Sequence, residues 1–397
     1  MTTELSQATT KSTGDQSQSC CAVSCCARPE EQARGASTNL TTDATSVRDP
    51  QRPFITGYLE TPVGKIPRVP TELTWADRSG ALKVRWGIAR MRYTVEPGLY
   101  AVGAPNAGSP VLVSANYKLS FDTLRVELAR ISAWILVLDT DGINVWCAAG
   151  KGTFSTDELV SRIELTRLSE LVSHRQLILP QLAGPGVAAH EVKKRSGFKV
   201  IYGPIQARDI RAFLAAGNQA TPEMRLKTFP IRERIILIPV ELVEALKGAA
   251  ILLPAFFLLG GLGGPADFWT NALNHGLFAV IAVALAIAAG AIVTPTLLPW
   301  LPGRAFAFKG FIAGLVVAAV LVASRPDAWA SWPGRMEMIA WLLLIPALSA
   351  YLGMNFTGAS SYTSLSGVKK EMRVALPLQI AAAALGLVLW FCSRFTA

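Results

Sequence analysis

The chain has 397 residues, 51% of them hydrophobic, and a formal net charge of +10, which leaves room for two domains of ordinary size. A basic balance raises nucleic acid as a partner, but no stretch interleaves basic and aromatic residues, and much of the later charge sits in short loops beside apolar runs, where Lys and Arg set membrane orientation. Six cysteines do not make a secreted disulfide framework, because four crowd one short stretch and Cys147 and Cys392 stand by themselves.

Residues 1–50 are rich in Ser, Thr, Gln and Asp and poor in aromatic and branched residues, so they read as a disordered tail, with no apolar core of a signal peptide. The amino-terminal part is expected in the cytoplasm. Within the tail, Cys20, Cys21, Cys25 and Cys26 offer four soft donors for a thiophilic ion such as Hg(II), Zn(II) or Cu(I). Incidental thiols or lipidated cysteines are the other readings of the same run.

Residues 51–227 are expected to form an α/β domain, with a mostly parallel sheet covered by helices. PVLVSA reads as a strand and KLSFDTLRVELA as the helix after it; WILVLDT is a second strand, and Asp141-Gly142 marks a tight turn. STDELVSRIELTRLSELV has the start and spacing of a helix. RQLILPQ, VAAHEVKKRS, FKVIYGP and ARDIRAFLAA then continue strand, helix, strand, helix. Ligands are expected beyond the carboxyl ends of such strands, which nominates Asn116, Thr140, Gln181, Gly184, Gly186 and Gly203. The small residues of LAGPG and GPIQ allow close backbone approach to a large flat ligand, or simply turn the chain. No G-x-G-x-x-G, P-loop or G-x-S-x-G is present, so dinucleotide binding, phosphoryl transfer and serine hydrolysis are not indicated.

Residues 228–247 read as a linker near a membrane interface, carrying Arg232, Arg234 and Lys247. Residues 248–397 read as an all-α transmembrane domain with five spans, about 248–264, 275–298, 306–324, 337–356 and 375–393. With the amino terminus inside, Arg304, Lys309, Lys369, Lys370 and Arg373 are expected on cytoplasmic loops, against Arg325, Arg335 and Arg394 outside. No span shows a row of ionisable residues such as an ion pathway needs, so the domain reads as an anchor or docking platform. His275 is placed at an interface, and FTGASSYTSLSGVKKEMR is read as a polar loop.

The most specific segment is NVWCAAGKG, Asn144 to Gly152. Its small residues admit a bulky planar partner, Trp146 offers an apolar wall, and a helix is expected to begin near Thr153 to Thr156. A thiolate at Cys147, near a helix amino terminus and Lys151, is favoured electrostatically. An inert cysteine at a strand end is the other reading.

This segment resembles the cap-helix signature of the HgcA family, the corrinoid proteins of bacterial and archaeal mercury methylation, written N-(V/I)-W-C-A-(A/G)-G-K. All eight positions agree. That family, too, joins a cytoplasmic corrinoid domain to about five membrane helices, and its corrinoid domain is similar to that of the corrinoid iron–sulfur protein of the acetyl-CoA pathway. The resemblance implies a base-off corrinoid (a cobalamin) with Cys147 as lower axial cobalt ligand. Asn144, Val145, Trp146, Ala148, Ala149, Gly150 and Lys151 would shape the face below the ring. It implies a methyltransferase of the cytoplasmic (inner) membrane: a methyl group from a methyltetrahydrofolate-linked donor is carried on cobalt and passes to Hg(II). HgcB, a ferredoxin-like iron–sulfur partner, returns the cobalt to its reduced state; this chain has no ferredoxin cluster spacing. Partners are therefore that protein, the methyl donor, Hg(II) and membrane lipid, with no nucleic acid.

Two other functions compete. One is a corrinoid methyl carrier of one-carbon and acetyl-CoA metabolism, although corrinoid iron–sulfur proteins are without the membrane domain and the cap cysteine. The other is a membrane thiol metal-binding protein, which leaves NVWCAAGK without a purpose. His174 and His190 are poor alternatives as cobalt ligands, since no D-x-H-x-x-G motif surrounds them.

Overall fold

The computed structural model describes residues 54–264, 266–356 and 365–396; the tail cysteines Cys20, Cys21, Cys25 and Cys26 lie outside the described residues. The chain divides into two compact units, one ending at Val243 and one beginning at Glu244.

The first unit opens with a hairpin of β1 (Gly57–Thr61) and β2 (Gly64–Val69), then α1 (Trp75–Arg85) and β3 (Gly98–Val102). Next come β4 (Val111–Ala115), α2 (Lys118–Glu127), β5 (Ala133–Leu138), α3 (Val145–Lys151), α4 (Thr156–Leu165) and α5 (Leu168–Leu171). The unit continues through β6 (Gln176–Leu179), α6 (Ala189–Ser196), β7 (Lys199–Tyr202) and α7 (Ile210–Ala215). The seven strands form one sheet in the order β1-β2-β3-β5-β4-β6-β7. Pairings β2–β3, β4–β5, β4–β6 and β6–β7 are parallel, while β1–β2 and β3–β5 are antiparallel. The expected mostly parallel α/β sheet is thus present. Sequence reading passed over the hairpin and β3: β1 is half-exposed along its length and lacks the apolar run that marked β4 and β5.

Alternate residues of the central strands feed two cores, as the period of two requires. Val111, Val113, Trp134, Leu136 and Leu138 pack with Ala148, Phe154, Leu159 and Val192 on one face. Leu112, Ile135, Val137 and Ile178 pack with Phe121, Leu128, Ile210 and Phe213 on the other. After β5 the chain crosses β4 to reach β6, so the connection reverses there. In such sheets ligands are expected at the reversal, beyond the carboxyl ends of β4 and β6. The long helix expected over STDELVSRIELTRLSELV is broken, because Arg167 adopts φ 50° between α4 and α5.

A buried charge cluster, not foreseen from the sequence, ties α1 and α2 to the sheet. Lys118 Nζ donates to Asp77 Oδ1 (2.6 Å) and Asp122 Oδ2 (2.7 Å). Arg125 donates to Asp77 Oδ2 (2.9 Å), Asp122 Oδ1 (2.7 Å) and the Pro70 carbonyl (2.6 Å). Asp77 also closes a capping box with Thr74. Burial works to raise the Asp77 carboxyl, but Lys118 and the Thr74 N–H outweigh it and hold it down at about 2. Burial, then Asp122 and Asp77, push the neighbouring Tyr93 phenol upward.

Among the described residues, the second part has five helices long and apolar enough to cross a membrane. We number them α8 (Ile231–Gly260), α9 (Phe268–Thr296), α10 (Phe306–Ala323), α11 (Trp332–Asn355) and α12 (Leu365–Phe395). The stretch read as a linker is helical from Ile231 and runs unbroken into the first span. Of the polar loop, residues from Leu365 onward belong to α12, and residues 357–364 lie outside the described residues. Lys309 is not on a loop: it lies in the first turn of α10, buried, and donates to the Leu298 carbonyl. Arg394 is buried and donates to Glu337 Oε2 (3.2 Å), whose other contact is His275 Nδ1 at 2.9 Å. His275 sits in a π-helical turn, Ala272–Gly276, inside α9, half-buried beside the Glu337–Arg394 pair at the helix ends.

Candidate functional site

The site is built outward from Asn116, which follows β4 at that reversal. Its Oδ1 accepts from Thr140 N (3.1 Å) and Gly142 N (3.0 Å) and lies 2.7 Å from Thr140 Oγ1; its Nδ2 donates to Asp139 Oδ1 (3.0 Å). One buried amide therefore fixes the turn after β5. That turn, Thr140 to Ile143, has both central residues left-handed, Asp141 at φ 54° and Gly142 at φ 70°, and Ile143 N donates to Thr140 O (3.2 Å). A Cβ on Gly142 would stand 2.8 Å from Thr94 Cγ2 and 3.1 Å from Met91 O. Glycine is required there both by conformation and by space.

The turn delivers Asn144 as the N-cap of α3. Its Oδ1 accepts from Cys147 N at 2.9 Å, satisfying one of the unbonded amides of the first turn. Gly152, at φ 83°, ends the helix as a left-handed cap. NVWCAAGK is thus a helix of its own, and Cys147 lies in its first turn rather than ahead of the helix after it, which starts at Thr156 under the Ser155 cap. The helical period then sorts the motif. Ala148 and Ala149 are buried against the core, whereas Trp146 is 40% exposed and Gly150 and Lys151 are exposed. Cys147 is half-buried and is not in a disulfide.

Loop 180–187, after β6, supports α3 from below. A Cβ on Gly186 would fall 2.1 Å from Phe154 O and 3.0 Å from Ala149 Cα, so this glycine admits α3 rather than a ligand. Tyr202 Oη donates to Val187 O (2.5 Å), Arg225 Nη1 to Gln181 Oε1 (2.6 Å) and Ala188 N to Thr156 Oγ1 (2.9 Å), holding the loop. Gly203 N donates to Leu179 O (2.8 Å) in continuation of the sheet. Gly184 is exposed, and a Cβ there would meet only Gln181 O at 3.3 Å.

The residues nominated from sequence therefore fall into two groups. Asn116, Thr140, Gln181, Gly186 and Gly203 face protein, and Trp146, Cys147, Gly150, Lys151 and Gly184 form the accessible side. Sequence reading missed the support beneath them. Lys118 N donates to Tyr93 O (3.0 Å) and Val95 N to Asn116 O (2.8 Å), so the segment that carries Asn116 is strapped to residues 93–95 and, through Lys118, to the charge cluster. The spacing of Lys118, Asp122 and Arg125, four and three apart on α2, was the available signal.

Two histidines fall away from this edge or out of reach. His174 Nε2 is 2.9 Å from Ser109 O at the amino ends of the strands, opposite to α3, and the His190 side chain is 82% exposed beside Glu191. Among the described residues no group of three or more His, Cys, Asp or Glu could hold a metal ion.

Residues 87–214 match the family described as CO dehydrogenase/acetyl-CoA synthase delta subunit. The chain is similar to the acetyl-CoA decarbonylase/synthase complex subunit gamma of Archaeoglobus fulgidus, 34% identical over 122 residues, 30% of this chain and 26% of the relative. The corresponding subunit of Methanocaldococcus jannaschii is 32% identical over 127 residues, 32% and 26% of the two chains. Similarity extends to the corrinoid/iron-sulfur protein large subunit of Moorella thermoacetica, 31% identical over 124 residues, 31% and 27% of the two. The chain thus spans about a quarter of the length of these curated relatives. The family match runs from just after α1 through most of α7 and includes the whole of α3.

Proposed function

We propose that the α/β unit binds a corrinoid with Cys147 as the lower axial ligand of cobalt, and that the chain is a membrane-held methyltransferase that forms methylmercury from Hg(II). The observation that carries this reading is the helix α3. Asn144 pins it, and its accessible side bears a thiol and an indole at the carboxyl edge of a sheet similar to part of a corrinoid/iron-sulfur protein.

The residues fit such a group. A Cβ on Gly150 or Gly152 would meet nothing within 4 Å, so the outer side of α3 is low and open, as a planar macrocycle needs, with Trp146 rising as an apolar wall. Thiolate sulfur is a soft donor suited to a transition metal, and the axial ligand is a principal means by which a protein tunes such a cofactor. When bound, a corrinoid supplies a cobalt that accepts a methyl group and yields it to an acceptor. Asn144 fixes the backbone at Cys147, and with it the direction from which sulfur is offered. Trp146 and the closely packed Ala148 and Ala149 exclude water beneath the site. Electron donation from a thiolate favours departure of a methyl group with electron density, which an electrophile such as Hg(II) requires. Electrons come from a ferredoxin-like iron–sulfur protein of the HgcB type, and the methyl group from a methyltetrahydrofolate-linked donor.

The five apolar helices hold the unit at the cytoplasmic membrane. With α8 entering from the cytoplasm, Arg304, Lys369, Lys370 and Arg373 fall on the inner side, in keeping with the positive-inside bias. A second reading is favoured by the relatives' names: a methyl carrier serving acetyl-CoA synthesis.

Membranes containing the full chain, supplied with a corrinoid, the ferredoxin partner, a methyltetrahydrofolate-linked donor and Hg(II), test the proposal. Methylmercury should form with the wild-type chain and fall at least about a hundredfold with Cys147→Ala, as when an essential cofactor contact is removed. Methyl transfer to another acceptor with Hg(II) untouched would move the second reading ahead.

A further inference from the structure

The helical unit holds a cavity of about 310 Å³ bounded by α8, α9, α11 and α12. Leu252, Phe256, Trp341, Tyr351 and Ala383 form much of its wall, with one amide, Gln379, among them. Three of these helices carry a proline beside wall residues: Pro254 on α8, Pro346 on α11 and Pro377 on α12. A proline within a helix lacks the N–H for the preceding turn and crowds it. Three such prolines border this one space.

Gln379 is 9% exposed, and neither its Nε2 nor its Oε1 has a hydrogen-bond partner; the fully buried Trp341 likewise has an unbonded Nε1. Unbonded polar groups in an apolar setting carry a cost that an occupant with complementary polar atoms removes. Depth limits what that occupant is. Gln379 lies five residues from Ala384, the midpoint of the span read over about 375–393, which is about 7.5 Å along the helix. The hydrocarbon layer is about 30 Å thick, so the polar atoms of a phospholipid stand roughly 15 Å from mid-membrane, beyond reach of this amide. A neutral molecule whose carbonyl enters the hydrocarbon does reach it.

We infer that this cavity binds a lipid-soluble molecule of the quinone class, a flat ring with carbonyl oxygens on an apolar tail. Gln379 Nε2 and Trp341 Nε1 are the donors for its carbonyls, and the tilted pair Phe256–Trp341, with ring centroids 5.9 Å apart, is the surface for its ring. Leu252, Tyr351 and Ile380 line the cavity and are also exposed on the outer surface of the unit, so the tail leads out between helices. The volume falls at the lower end of the range for small-molecule sites, about 300–1,000 Å³, enough for a ring and the first part of a tail. This inference rests on the reading that the five helices lie in a bilayer, and not on the cofactor of the α/β unit.

The test uses the full chain in detergent and calorimetric titration with 2,3-dimethoxy-5-methyl-6-decyl-1,4-benzoquinone, with decylbenzene as the carbonyl-free control. Carbonate extraction of the native membranes establishes separately that the chain is integral; if it is extracted, the membrane reading fails and the inference with it. Wild type should bind one equivalent of the quinone saturably. Gln379→Leu should weaken binding about tenfold, one lost hydrogen bond, with no fall in Tm, and Ala383→Trp should abolish it by filling the space. An integral chain that does not bind the quinone saturably overturns the inference. So does equal affinity for decylbenzene, which would make the space an acyl-chain groove, or a Gln379→Leu variant that binds as wild type does.

Discussion

In the α/β unit, Asp77, Lys118, Asp122 and Arg125 are buried with each charge met by an opposite charge or a carbonyl, whereas in the helical unit Gln379 is buried with neither end of its amide bonded. Both sites put polar atoms where water is scarce, and the difference between them separates scaffold from receptacle. A buried charge set that is fully paired holds its elements in one arrangement, and here it fixes the start of α2 and, through residues 93–95 and Asn116, the turn that delivers α3. A buried amide that borders a cavity and is left unmatched by its own chain is complementary to something else.

The largest effect expected from breaking this contrast is at the matched site. Asp77→Ala leaves Lys118 and Arg125 without one of their two carboxylates, and removal of one partner of a buried ion pair costs about 3–5 kcal/mol. Thermal unfolding and limited proteolysis of the full chain should show the α/β unit opening first. Acid probes the same cluster with the wild-type sequence. The Asp77 carboxyl is held down at about 2 against an ordinary 3.8, so its contribution to stability is complete above that ordinary value and is lost as pH falls toward 2. Asp77→Asn should flatten the unfolding profile across that window; a profile equal to wild type would show that the carboxylate is not stabilised by folding.

Smaller effects belong to the turn and the cap. Gly142→Ala places a Cβ on a left-handed residue already against Thr94 and the Met91 carbonyl, and should cost more than about 1 kcal/mol. Asn144→Ala removes the bond to Cys147 N and should cost about 1 kcal/mol of stability, while loosening corrinoid retention measurably by gel filtration. Smallest of all is Gln379→Leu, with a Tm unchanged or slightly raised, because a polar pair unmet by the protein is replaced by apolar surface. A drop in Tm would mean that the amide serves the scaffold after all.

What could be read from sequence followed the strength of local pattern. The apolar runs of β4, β5 and β6 and the long hydrophobic helices announce themselves because their burial leaves little choice of residue. The hairpin of β1 and β2 does not, since an edge with one exposed side tolerates Lys65, Glu60 and Thr61. At the site, the motif was legible, and its conformation only through the resemblance. From its residues alone NVWCAAGK reads as an approach to the next helix, while the cap-helix signature it resembles implies a helix; Asn144 as a cap and Gly152 as a stop make it a separate one. Gly186 carried the expected close approach, but to Phe154 and Ala149 instead of to a ligand. Long-range pairings such as Lys118 with Asp77 and His275 with Glu337 leave at most a spacing hint, because the partners lie 41 and 62 residues apart.

In the proposed function Cys147 offers its sulfur to cobalt from the first turn of α3. Its most direct test is the visible absorption spectrum of the full chain reconstituted with cobalamin in detergent, beside that of Cys147→Ala. The wild type should give a base-off, sulfur-ligated spectrum that the variant loses while still folding. Two identical spectra, or a wild-type chain that takes up no corrinoid, would contradict it.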